Sequence, residues 1–311
     1  MNKVKGYSMV VIAAFLWGVS GAVAQKLFAA GITVEWLVTI RLISSGLLIL
    51  LFASFGKGKT HIISICKHRP YLIQMVIFGI IGMVGVQYTF FLAIDESNAA
   101  VATLLQYIAP VFIAMYFLVM LRMKPSLLEM LAMLLALAGT FLLLTNGSVE
   151  TISITPKALS WGLLSAVALA FYTVYSGYLV RHLPSIIVVG FGMLIGGLFM
   201  CFFQSPFAIS ITSWNSSMIL LTVVVIIFGT IVPFFLFMDS MRYISPKEAS
   251  LLGCTEPLSA IVVSVLWLHT PFGIYQAIGS GLILAMVLIL AMRPAEANDQ
   301  IEAAKQDTIQ A

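Results

Sequence analysis

The sequence predicts an all-α polytopic membrane protein whose ten transmembrane helices form two inverted five-helix repeats. Composition, span count and internal matches predict it. Of 311 residues, 61% are hydrophobic and 9% charged, whereas soluble domains are about 45–50% apolar and about 25% charged. Such a chain lacks the polar groups to cover a water-facing surface. The net charge of +4 is spread along the chain without a basic domain, which argues against a nucleic-acid partner. Cys66, Cys201 and Cys254 lie far apart with no CxxC, so neither a zinc site nor a disulfide framework is expected.

A membrane helix takes about 20 mostly apolar residues. The runs that qualify cover roughly 7–28, 33–55, 71–94, 99–121, 126–145, 157–179, 185–203, 217–238, 248–267 and 273–292. Between His182 and Met238 there is no Asp, Glu, Lys or Arg. That stretch holds two spans, divided by the polar, proline-containing break from Gln204-Ser205-Pro206 to Trp214-Asn215-Ser216-Ser217. Ala22-Val23-Ala24 resembles a signal cleavage site, but the run before it exceeds a signal core and a later span echoes it. With both termini inside, 13 of the 16 Lys and Arg fall on the cytoplasmic side, as the positive-inside rule requires.

Internal matches keep their order and spacing. Phe15-Leu16-Trp17-Gly18 matches Leu159-Ser160-Trp161-Gly162 at an offset of 144. Tyr88-Thr89-Phe90-Phe91-Leu92 matches Phe235-Leu236-Phe237-Met238. Ala102-Thr103-Leu104-Leu105 with Pro110 matches Ala249-Ser250-Leu251-Leu252 with Pro257 at an offset of 147. Five spans per copy is odd, so the second copy crosses the membrane inverted, a plan of secondary transporters with midplane sites. The expected organisation is one repeat over 1–150, a second over 151–292, and a disordered cytoplasmic tail over 293–311.

Pro110 and Pro257 both fall about 15–17 Å into their spans, and each removes the donor to a carbonyl four residues earlier. Such a carbonyl must face protein or a wet cavity. Glu256 is the one acid near a span centre, where a carboxylate costs about 2.5–3.5 kcal/mol. It is a candidate proton carrier, a partner for a cationic substrate, or a neutral packing residue. Arg41 lies about 12 Å below the outer end of its span. It either snorkels outward, contacts helix carbonyls or meets a substrate carboxylate. Polar and aromatic stripes at helical spacing mark candidate cavity walls: Trp17 and Gln25; Thr103, Gln106 and Tyr107; Trp161, Tyr172 and Tyr175; Ser250 and Cys254. Gln87 joins them because an amide needs several partners. Helix packing explains any one stripe equally well. The glycines Gly79, Gly82, Gly85, Gly192 and Gly196 are expected to allow close helix contact.

The ten spans, the Trp-Gly of span 1, Arg41, the Ala-x-x-x-Leu-x-x-x-x-Pro pattern of span 4 and Glu256-Pro257 resemble an EamA-type transporter of the drug/metabolite transporter superfamily. The resemblance covers about residues 7–292. It implies two inverted five-helix repeats around a central cavity, exporting small metabolites. Arg41 has no cationic counterpart in span 7, and Glu256 stands where the first repeat has Ala109. No histidine pair or Ser/His/Asp set suggests a metal or catalytic site. No GxxxxGK[ST] loop is present, which argues against direct ATP drive. The expectation is a secondary transporter in a bacterial-type inner membrane, not an enzyme, without metal or cofactor. Its partners are the lipid bilayer, a small-molecule substrate and protons as coupling ion. The alternative is a non-transport membrane protein, either an intramembrane enzyme or a receptor or channel scaffold.

Overall fold

Lipid offers no hydrogen bonds to the backbone, so each apolar run closes its own as a helix. A computed structural model describes residues 2–55, 58–148, 155–208, 216–259, 262 and 273–291. The regular structure among them is helical, with no strand. Expectations for Lys57, Trp214-Asn215, the part of the ninth span after residue 259 (residue 262 apart), His269 and the tail lie outside the described residues.

The chain opens with α1 (Asn2–Ala29) and α2 (Val34–Ser54). The cytoplasmic loop expected next contains a short helix, α3 (Gly58–Lys67). The third rod runs as α4 (Arg69–Ile77), a π-helical segment (Phe78–Val84) and α5 (Gly85–Asp95). The fourth is split into α6 (Ala99–Gln106) and α7 (Ala109–Met120). Then come α8 (Leu127–Thr145), α9 (Pro156–His182) and α10 (Ser185–Met200). The eighth rod joins α11 (Ser216–Ile226), a second π-helical segment (Ile227–Ile231) and α12 (Val232–Ser240). Last are α13 (Pro246–Gly253) and α14 (Ile274–Ala291). Among the described residues, seven rods are long and apolar enough to cross a membrane: Lys3–Ala29, α2, Arg69–Asp95, Ala99–Met120, α8, α9 and Ser216–Ser240. Ser185–Met200 and Ile274–Leu290 are shorter apolar helices.

The exterior is what lipid selects. On α8, Leu127, Leu131 and Leu134 are exposed while Ala132, Ala136 and Gly139 are buried. Large apolar groups face outward and small ones face the neighbouring helix, the reverse of a soluble amphipathic helix. Two close approaches depend on glycine. A Cβ at Gly46 of α2 would overlap the backbone of Leu194 in α10, and one at Gly197 would overlap that of Ile43. Gly79 likewise meets α10 at Gly192 and Gly196, so the predicted glycine contacts form.

The principal pairings are α2 with α10, α8 with α14, α5 with α9, and α1 with α12. Irregularities recur at one spacing. The N-cap Asn98 of α6 and the N-cap Ser245 of α13 are 147 residues apart. The same offset relates the break at Tyr107-Ile108 to that at Cys254-Thr255, and the last π-helical residue Val84 to Ile231. Pro110 and Pro257 do not kink continuous rods; each sits at the second position of the helix restarting after a break, where its missing N–H is harmless.

Candidate functional site

A cavity with about 710 Å³ of empty space, its opening included, lies among α1, α2, α5, α6, α9, α12 and α13. Aromatic rings form much of its wall. Trp17 packs edge-on to Phe234 at 5.1 Å and against Phe237 at 5.2 Å, and Tyr172 stacks on Phe237 at 6.0 Å. Phe90, Phe91 and Leu169 complete the apolar lining.

Into this apolar wall the helices place polar groups that the protein leaves unpaired. Among the described residues, ten have a buried side-chain N or O with no hydrogen-bond partner, and eight of them line the cavity. They are Trp17, Ser20, Arg41, Gln87, Gln106, Tyr172, Thr173 and Ser250. Leaving one such group unpaired costs about 1–3 kcal/mol, so scatter through the core would be ordinary noise, whereas convergence on one cavity marks a place where another molecule supplies the partners.

Arg41 is 2% exposed. Its Nε donates to the Thr230 hydroxyl at 2.8 Å and its Nη2 to the Gly229 carbonyl at 3.1 Å. The Thr230 hydroxyl in turn donates to the Val225 carbonyl, five residues back. The π-helical turn therefore builds the Arg41 seat, freeing Gly229 and orienting Thr230. The guanidinium also lies 4.5 Å from the centre of the Phe91 ring. A cation–π contact of about 0.5–2 kcal/mol and two charge-assisted hydrogen bonds work against a desolvation penalty of several kcal/mol. No acid among the described residues pairs with Arg41, and its Nη1 has no partner.

Glu256 is 7% exposed and forms no salt bridge among the described residues. The Tyr107 phenol lies 2.8 Å from its Oε2 and 2.8 Å from the Gly253 carbonyl. Gly253 is the residue four before Pro257, so the tyrosine occupies the carbonyl that the proline frees. A phenol has one proton. With Glu256 ionised, one of the two contacts would set oxygen lone pairs against each other. With Glu256 neutral, its O–H donates to Tyr107, which donates to Gly253, and every contact is a hydrogen bond. The hydrogen-bond pattern is complete when the acid carries its proton.

Of the residues singled out from sequence, Trp17, Arg41, Gln87, Gln106, Tyr107, Tyr172, Ser250 and Glu256 line this cavity. Gln25 is exposed one turn further along α1, and Trp161 is half-buried outside the lining. Thr103 and Cys254 are buried away from it, the thiol 3.8 Å from the Ser250 carbonyl. Tyr175 stacks on Phe171 at 5.2 Å. Pro110 borders a smaller cavity beside the Lys247–Glu129 ion pair, whose atoms are 3.7 Å apart. Sequence reading missed Ser20, Thr173, Thr230, Phe234 and Phe237. Ser20 lies three residues after Trp17, so helical spacing carried its signal, whereas Thr173, next to Tyr172, falls about 100° round the helix. A phenylalanine in an apolar run carries none.

A bundle of apolar helices with interrupted rods around a buried polar cavity is a polytopic membrane protein of the transporter class. The EamA-like transporter family matches residues 4–145 and 156–292, and the chain belongs to that family. It is similar to the uncharacterized inner membrane transporter YicL of Salmonella typhimurium, 38% identical over 293 residues, 93% of this chain and 95% of that one. The uncharacterized transporter YcbK of Bacillus subtilis is 26% identical over 200 residues, 61% of this chain and 63% of that one. A chain in a solved crystal structure shares the fold, with a TM-score of 0.73 at 21% identity, covering 92% of this chain and 96% of that one. The protein is a membrane transporter.

Proposed function

We propose that this transporter is a secondary exporter of small metabolites, amino acids or related amines and organic compounds, working by alternating access in a bacterial inner membrane. In this reading ten spans form two inverted repeats, over 1–150 and 151–292, and rock about the central cavity with both termini cytoplasmic. The observation that carries it is the convergence of unpartnered buried polar groups on one cavity walled by both halves of the chain. The 147-residue recurrence of caps, breaks and π-helical turns supports the repeat. The helix pairing supports it as well, because exchanging each span with the one five further along turns the α1–α12 contact into the α9–α5 contact.

Glu256 is the coupling residue in this reading, exchanging one proton with water as the cavity opens to each side, with Tyr107 bonded to its carboxyl in between. Its lack of a cationic partner among the described residues makes ionisation conditional on a change in surroundings, which the opening of the cavity to water supplies. The test is uptake into proteoliposomes with an imposed proton gradient, screened against amino acids, organic cations and sugars. Accumulation that collapses with the gradient is expected. Accumulation that persists after the gradient is dissipated removes proton coupling, and no transport of any compound class removes the exporter reading.

A further inference from the structure

We propose that the cavity selects small organic monoanions, compounds bearing one carboxylate on an aromatic or otherwise apolar body, and that Arg41 holds the carboxylate. The inference rests on the reading of this cavity as the transport site and, of the compounds proposed above, selects organic acids over amino acids and amines.

The unpaired groups in the wall are not balanced. Among the fully buried atoms without a partner, Trp17 Nε1, Arg41 Nη1, Gln87 Nε2 and Gln106 Nε2 can only donate, and Gln87 Oε1 can only accept. Exchanging O and N of either amide leaves the excess in place, because the indole and the guanidinium decide it. The hydroxyls of Ser20, Tyr172, Thr173 and Ser250 adapt to either role. A ligand that satisfies this wall brings acceptors.

Charge points the same way. Arg41 enters the cavity without a counter-ion among the described residues, and the directed chain from Glu256 through Tyr107 to Gly253 is complete when Glu256 carries its proton. The site thus carries one uncompensated positive charge. A carboxylate neutralises it. A dianionic phosphate would bring a second charge into an apolar enclosure with no cation to meet it, and an amine would set two cations together. Trp17, Tyr172, Phe234 and Phe237 offer their ring faces and edges to the remaining body of the ligand.

The experiment uses the full-length protein purified in detergent and isothermal titration with four compounds of one shape: phenylacetate, phenylacetamide, phenethylamine and phenylalanine. Phenylacetate is expected to bind at least tenfold more tightly than each of the others. Arg41→Gln is expected to weaken phenylacetate at least tenfold and phenylacetamide by a smaller factor. Should that variant not fold, the ranking on the unaltered protein still decides. Equal or tighter binding of phenethylamine or phenylalanine overturns the inference, as does no binding of phenylacetate. Tight phenylacetate binding without counterflow in proteoliposomes upholds the inference and removes the transport reading. Counterflow of phenethylamine without phenylacetate binding upholds transport and removes the inference.

Discussion

One phenol between two oxygens, the Gly253 carbonyl and the Glu256 carboxyl, each 2.8 Å away, makes Tyr107 the residue on which the centre of the molecule turns. Replacing it with Phe leaves the Gly253 carbonyl and the Glu256 carboxyl without a donor or acceptor opposite them. Tyr107→Phe should lower stability by about 1–3 kcal/mol, read as an earlier thermal unfolding transition in detergent. Glu256→Gln is expected to behave differently. Its amide donates to Tyr107 as the neutral acid does, so the fold should keep its transition temperature. It cannot exchange a proton, so gradient-driven accumulation should vanish while counterflow continues. Full accumulation by the Gln variant would leave Glu256 as a packing residue. The identity of this centre was legible in the sequence as far as Glu256 and the carbonyl freed by Pro257. The donor that meets that carbonyl was not, because Tyr107 lies 146 residues from Gly253 and only the folded chain brings them together.

Helices meet here through their small residues, and α1 gives the sharpest contrast. A Cβ on Gly18 would overlap the Ser259 hydroxyl and stand 2.7 Å from the Glu256 carbonyl, whereas one on Gly21 meets nothing within 4 Å. Gly18→Ala should force α1 away from the Glu256 segment and lose about 1–3 kcal/mol. Gly21→Ala, on the cavity wall, should leave the unfolding transition in place. Equal effects of the two would show that α1 does not pack closely at Gly18. The repeat of the Trp-Gly motif has the same cause, for a Cβ at Gly162 would overlap Leu105 on α6. The motif was legible in the sequence, and the structure shows packing of a long helix on a broken one. Arg41 was half legible. Its depth was readable from the span, but its seat on Thr230 and Gly229 comes from a π-helical turn in the other half of the chain, and hydrophobic periodicity gives no sign of a widened turn.

Across the molecule, composition and spacing fixed most of the helical plan, because a 61% hydrophobic chain has few ways to bury its backbone. Sidedness is the part that coordinates of a bundle do not carry by themselves. Reporter fusions at residue 150 should read outside and fusions at residue 183 inside, as the lysine and arginine bias requires. The reverse reading at either point removes the inverted arrangement. The paired and the unpaired features of this bundle have one more consequence. Caps, breaks and widened turns occur twice, 147 residues apart. Chemistry occurs once: at the same offset Glu256 faces Ala109, and Tyr107 faces Cys254. Under the proposed alternating-access reading, movement and selectivity are written in separate sets of positions. A lineage of such proteins is free to revise its cargo by point changes at 41, 107 or 256 while inheriting the moving frame unaltered, as a lock is rekeyed without replacing the door.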